Sequence, residues 1–160
     1  MTLRIPSDKQ FEKVIKNFES VLPLARYDSQ LDIHNIYVCD EDHECGTVHC
    51  VGGWYAVANQ NNPRIKAAIK RKDAEYELGA DLMSKHLGFR NADDLVDWAH
   101  NNPVIWGNDW GGDLFGSIAA WNDAKNLKGI VKHLKEVCQR AAIIRANKKL
   151  FSFLEDLRLC

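Results

Sequence analysis

Val51-Gly52-Gly53-Trp54-Tyr55-Ala56-Val57-Ala58 contains no charged residue, and two adjacent glycines stand inside it. An apolar run of this composition belongs in a protein interior. Each glycine costs roughly 1 kcal/mol against alanine within a helix. Paired glycines in a buried helical run therefore predict a second element crossing so closely that side chains would not fit between them. The rest of the chain has to be arranged around that crossing.

The residues leading into this run are Cys45-Gly46-Thr47-Val48-His49-Cys50. Thr47 is an N-cap candidate, since its hydroxyl can accept from a backbone N–H two or three residues on, and Gly46 permits a sharp entry. A helix begun at Thr47 places Cys50 in its first turn, where free amides and the helix dipole favour negative charge. Gly46, Thr47 and Val48 then offer an anion or carboxylate site, and the Cys50 thiol is open to activation. Against this stands packing alone, because free cysteine often serves as a small buried hydrophobe.

A thiol-dependent hydrolase or transferase with Cys50 as nucleophile needs a histidine within reach. His43, His86, His100 and His133 are the candidate bases, with His100 carried as the partner. His49, next to Cys50 on a helix, would point away from it. A zinc site is a further alternative, since Cys39, His43, Cys45 and Cys50 fall within a dozen residues. Cys39, Cys45 and Cys50 are separated by five and four intervening residues, against the usual two to four within a ligand pair, and no second, distant pair stands out. A Cys45–Cys50 disulfide depends on their separation, and a reducing compartment opposes it as a permanent bond.

The motif Cys45-Gly46-Thr47-x-x-Cys50-x-x-Gly53-Trp54 resembles one carried by small uncharacterised proteins of bacteria and their phages, in which a short extended segment precedes it and a mainly helical remainder follows. Tyr55 stands where that group has a small residue, and His49 is bulkier than its usual counterpart. The resemblance covers about a dozen residues and implies an intracellular bacterial or phage origin.

With 46% hydrophobic and 27% charged residues, the 160-residue chain has the composition of one ordinary globular domain spanning residues 1–160. Met1-Thr2-Leu3-Arg4-Ile5-Pro6 is too short for a signal peptide, and no stretch approaches the ~18 apolar residues of a membrane span. Five cysteines without an export signal suit reduced thiols in the cytoplasm of a bacterium, or of an infected host cell. The net charge is −1, unevenly distributed. Six acids and no Lys or Arg lie between Tyr27 and Pro63, and then comes the basic run Arg64, Lys66, Lys70, Arg71 and Lys72. Such alternation serves self-complementation or a polarised surface for partners.

Ser7 and Gln10 form a capping box for a first helix with Phe11, Val14, Ile15, Phe18, Val21 and Leu22 on its apolar face. Ile36-Tyr37-Val38 favours a short strand. Pro63 starts a basic helix reaching about Lys72. Asp73 caps the next, which carries Leu78, Leu82 and Leu87, stops at Gly88, and holds Gly79 as another point of close approach. Asn91 caps a short helix that ends before Pro103. In the loop Trp106-Gly107-Asn108-Asp109-Trp110-Gly111-Gly112-Asp113, Trp106, Asp109 and Trp110 are candidate ligand contacts; the plainer reading has the indoles plugging the core. Calcium ligands are too few there. The longest helix is expected over 122–148, with Leu127, Ile130, Val131, Leu134, Val137, Cys138, Ala141 and Ile144 buried and Lys125, Lys128, Lys132 and Lys135 forming a basic stripe. Phe151, Phe153, Leu154 and Leu157 give a last amphipathic turn.

The expected fold is thus mainly α, one domain of about six helices with a small β element near residues 30–40. The leading expectation for function is a non-catalytic binding or regulatory protein, such as a phage-encoded inhibitor, with a protein partner or small anionic ligand. No cofactor or membrane is expected, and nucleic acid is disfavoured because the lysine stripe lacks interleaved aromatics.

Overall fold

A computed structural model of the chain describes residues 4–25, 37–38, 48–71, 75–107 and 126–158. These are mainly α-helical. The helices are α1 (Asp8–Val21), α2 (Val51–Ala58), α3 (Pro63–Arg71), α4 (Glu75–His86), α5 (Ala92–His100), α6 (Pro103–Trp106) and α7 (Leu127–Arg158). Tyr37–Val38 (β1) and Val48–His49 (β2) pair antiparallel, with Tyr37 opposite His49 and Val38 opposite Val48. A pairing of two residues is a bridge and does not amount to the β element expected near 30–40. Residues 26–36 and 39–47 lie outside the described residues.

Local chemistry explains the boundaries of several helices. The Ser7 side chain accepts from the Gln10 amide while Gln10 Oε1 accepts from the Ser7 N–H at 2.8 Å, closing the expected box. α4 ends where Gly88 takes φ +92°, and the Phe89 N–H reaches back to the Ser84 carbonyl at 2.9 Å. That wide return bond needs a left-handed residue, which glycine supplies without strain. Asn91 caps α5 by accepting from Asp94 N–H at 2.9 Å, and Asp81 of α4 accepts from Ala92 N–H at 2.9 Å, joining the two helices. The Asp73 cap expected for α4 lies outside the described residues.

Two elements depart from the expectation. Pro103 opens the short α6 instead of merely following α5, in keeping with proline's fitness for the first helical position. α7 begins at Leu127, after Asn126, whose side chain accepts from Gly129 N–H at 2.8 Å. It then continues through Lys148 and Lys149 to Arg158 without a break.

The core forms around the crossing of α2 and α4. A Cβ placed on Gly79 would stand 2.0 Å from the Gly52 carbonyl oxygen and 2.9 Å from the Ala56 nitrogen. The two backbones therefore touch, and Gly79 is the condition for it. Phe11, Val14 and Phe18 of α1, Trp54 and Tyr55 of α2, Met83 and Leu87, Leu95 of α5, Trp106, and Ile130, Leu134 and Val137 of α7 share the resulting hydrophobic cluster. α1 and α7 are further joined by the Lys135–Glu19 ion pair at 2.7 Å and by Arg145, which binds the Pro6 carbonyl and Asp8.

Candidate functional site

The helix that follows the cysteine–glycine motif does not begin at Thr47. Val48 and His49 are extended in β2, Cys50 is the N-cap with φ −72° and ψ 178°, and α2 starts at Val51. The Cys50 sulfur accepts from the Gly53 N–H at 3.4 Å, and the Cys50 carbonyl from the Trp54 N–H at 2.9 Å. Cys50 is 2% exposed, and Val51, Gly52 and Gly53 beside it are buried. The physical reason for the shift is that backbone pairing with Tyr37–Val38 holds Val48 and His49 extended, so the first helical turn lies three to four residues later and faces the interior. A first turn between 46 and 50 is thereby overturned. Gly46 and Thr47 lie outside the described residues.

Of the other candidates, Trp106 is fully buried, its ring edge-on to Trp98 at 6.2 Å and to His133 at 5.7 Å. It fills the core and presents no face to a ligand. Arg140 holds this corner by donating to the Ile105 carbonyl at 2.7 Å. Asp109 and Trp110 lie outside the described residues, as do Cys39, His43 and Cys45. Among the described residues no group of three His, Cys, Asp or Glu side chains could hold a metal. His100 is exposed at the end of α5. His133 is buried, and burial, with Arg140 nearby, holds its imidazole down to about 4. His86, half-buried, takes another partner: Tyr55 Oη lies 2.6 Å from its Nδ1. Burial pushes the Tyr55 phenol well up and, with help from the Lys13 charge, pushes the His86 imidazole down. A protonated phenol donating to a neutral imidazole suits both shifts.

A concave surface among the described residues lies elsewhere, between α3 and α4. A cleft of about 600 Å³ has Ala67, Ala68 and Leu78 as its apolar floor and Arg64, Arg71 and Glu77 at its edges. A smaller hollow of about 70 Å³ adjoins it, sharing Arg64 and Leu78 and adding Asp81 and Lys85. α3 attaches through Ile65 and Ala68, each 2% exposed and both outside the main hydrophobic cluster. Its remaining face carries Arg64, Lys66, Lys70 and Arg71, all exposed, and the helix contains no acid. The sequence did signal this region, in Pro63 and the basic run after it. What it lacked was any sign that α3 and α4 together would leave an apolar floor beside those charges.

Comparison with known proteins finds no matching family model, no matching curated protein and no matching solved structure. No helix among the described residues is long and apolar enough to cross a membrane.

Proposed function

We propose that this protein acts by binding, without catalysis, and that its site is the α3–α4 cleft, which takes a short acidic segment of a partner protein. The observation that carries this reading is the apolar floor of Ala67, Ala68 and Leu78 with Arg64 at its edge and Lys85 in the adjoining hollow. A carboxylate on such an edge finds a guanidinium with planar paired donors, while an adjacent aliphatic side chain covers the floor. Nucleic acid fits less well, since no aromatic ring lines the cleft for base stacking. A bacterial or phage-encoded interaction protein, the origin implied by the Cys45–Trp54 motif, is consistent with a surface of this kind.

The burial of Cys50 weighs against the thiol enzyme, since a nucleophile must meet its substrate. The carboxylate site is accordingly moved from 46–50 to α3 and α4.

The test is fluorescence anisotropy with a labelled probe peptide of alternating Glu and Leu. Saturable binding that weakens with added salt is expected. The double charge reversal Arg64→Glu/Lys85→Glu should weaken it by about tenfold or more. Absence of binding to the native protein, or equal affinity for the reversed variant, overturns the assignment.

A further inference from the structure

The hollow beside the α3–α4 cleft differs from it in kind. The cleft is broad, whereas the hollow measures about 70 Å³ and brings three apolar side chains, Ile65, Leu78 and Leu82, together with two cations, Arg64 and Lys85. Both cations are exposed, and among the described residues neither side chain has an ion-pair partner. Arg90, Lys135, Arg140 and Arg145 each have one. Asn62 also lines the hollow; its Oδ1 accepts from the Arg64 N–H at 3.1 Å, which leaves its NH2 to donate. Asp81 is the carboxylate of the lining, and its Oδ1 accepts from the Ala92 N–H at 2.9 Å, at the positive end of α5. Two cations against one engaged carboxylate leave a net positive charge, which a single further carboxylate balances.

We propose that this hollow takes the C-terminal residue of the partner segment, an aliphatic residue with a free carboxylate; the inference rests on the acidic-segment reading of the cleft. In an extended segment consecutive side chains point to opposite faces, so an internal Glu and its Leu neighbour do not enter so small a hollow together. A chain end carries its carboxylate and its side chain on one carbon. The side chain meets Ile65, Leu78 and Leu82, while the carboxylate accepts charge-assisted hydrogen bonds from Arg64 and Lys85 and a further bond from the Asn62 NH2. Capture of a terminal carboxylate is a recurring way of recognising peptides. A free amino acid would fill the hollow and leave the cleft empty. A peptide passes from one into the other, since the two share Arg64 and Leu78.

The test is fluorescence anisotropy with two N-terminally labelled peptides of one sequence, alternating Glu and Leu and ending in Leu, one with a free C-terminus and one amidated. The free acid should bind the native protein about tenfold more tightly. An amidated peptide with one extra Glu at its N-terminal end, equal in charge to the free acid, should not recover the difference. Replacing the last Leu of the free acid by Gly should weaken binding several-fold. In Arg64→Gln/Lys85→Gln the affinities for acid and amide should converge, whereas a disturbed fold would weaken both peptides alike and leave their ratio unchanged. Circular dichroism checks the helix content of the variant. Equal binding of acid and amide to the native protein, or full recovery by the extra Glu, overturns the terminal carboxylate and leaves the acidic-segment reading standing. An unchanged ratio in the folded double variant overturns the assignment to Arg64 and Lys85, and binding of neither peptide overturns both readings.

Discussion

His133 lies 4% exposed on α7 against the Trp106 ring, and burial holds its imidazole down to about 4. In the unfolded chain the same group takes its proton near 6.5. Between those values the unfolded state binds a proton that the native state refuses, so stability falls as pH drops from about 6.5 towards about 4 and is insensitive to this group outside that window. From pH 7 to pH 5 the loss should reach about 2 kcal/mol. Urea titrations at the two pH values check this, and His133→Gln should lose distinctly less over the same interval; parallel losses would place the sensitivity elsewhere. At this scale the sequence was informative where a residue acts on its immediate neighbours, as Ser7, Gly88 and Asn91 do. It was misleading at Thr47, a better capping residue by type than cysteine. The Cys50 cap is set by a pairing with Tyr37–Val38, a non-local contact that local preference does not contain.

Among the elements, the meeting of α2 with α4 is the tightest contact and the one most directly written in the chain. Gly52 and Gly53 announced that something would cross closely, and Gly79 was the residue in α4 able to do so. Gly79→Ala sharpens the point. In an open helix that change gains up to about 1 kcal/mol of helix propensity. Here the added carbon would stand 2.0 Å from the Gly52 carbonyl oxygen, which is backbone and cannot swing aside. Overpacking of this kind costs about 1–3 kcal/mol and forces the helices apart. A net loss of about 1 kcal/mol or more is expected, a fall of a few degrees in Tm for a domain of this size. An unchanged or raised Tm would mean that the helices do not touch there. Other features were less legible. α7 was expected over 122–148 with a last amphipathic turn after it, yet it runs unbroken to Arg158, for no proline follows Pro103 and only Gly129 lies within it. Without a breaker the backbone continues.

Across the described residues, a buried scaffold is distinct from the charged surfaces. The cysteine–glycine motif, which from sequence looked like the chemical centre, has Cys50 as an interior cap. The proposed binding surface is the basic side of α3, a helix with two deeply buried side chains, Ile65 and Ala68. A sequence shows charge runs readily, but a cleft arises only once two helices are set beside one another, which is why the basic run was visible and the cleft was not. The account therefore depends on Cys50 being structural. The direct measurement is the rate at which the native protein's Cys50 reacts with a soluble thiol reagent, followed peptide by peptide by mass spectrometry from pH 6 to pH 9 and compared with the urea-unfolded chain. Protection on the order of a thousandfold is predicted, because reaction must await opening of the α2 N-terminus. Labelling as fast as in the unfolded chain, with half-titration well below pH 8, would contradict the account and return the chemistry to Cys50.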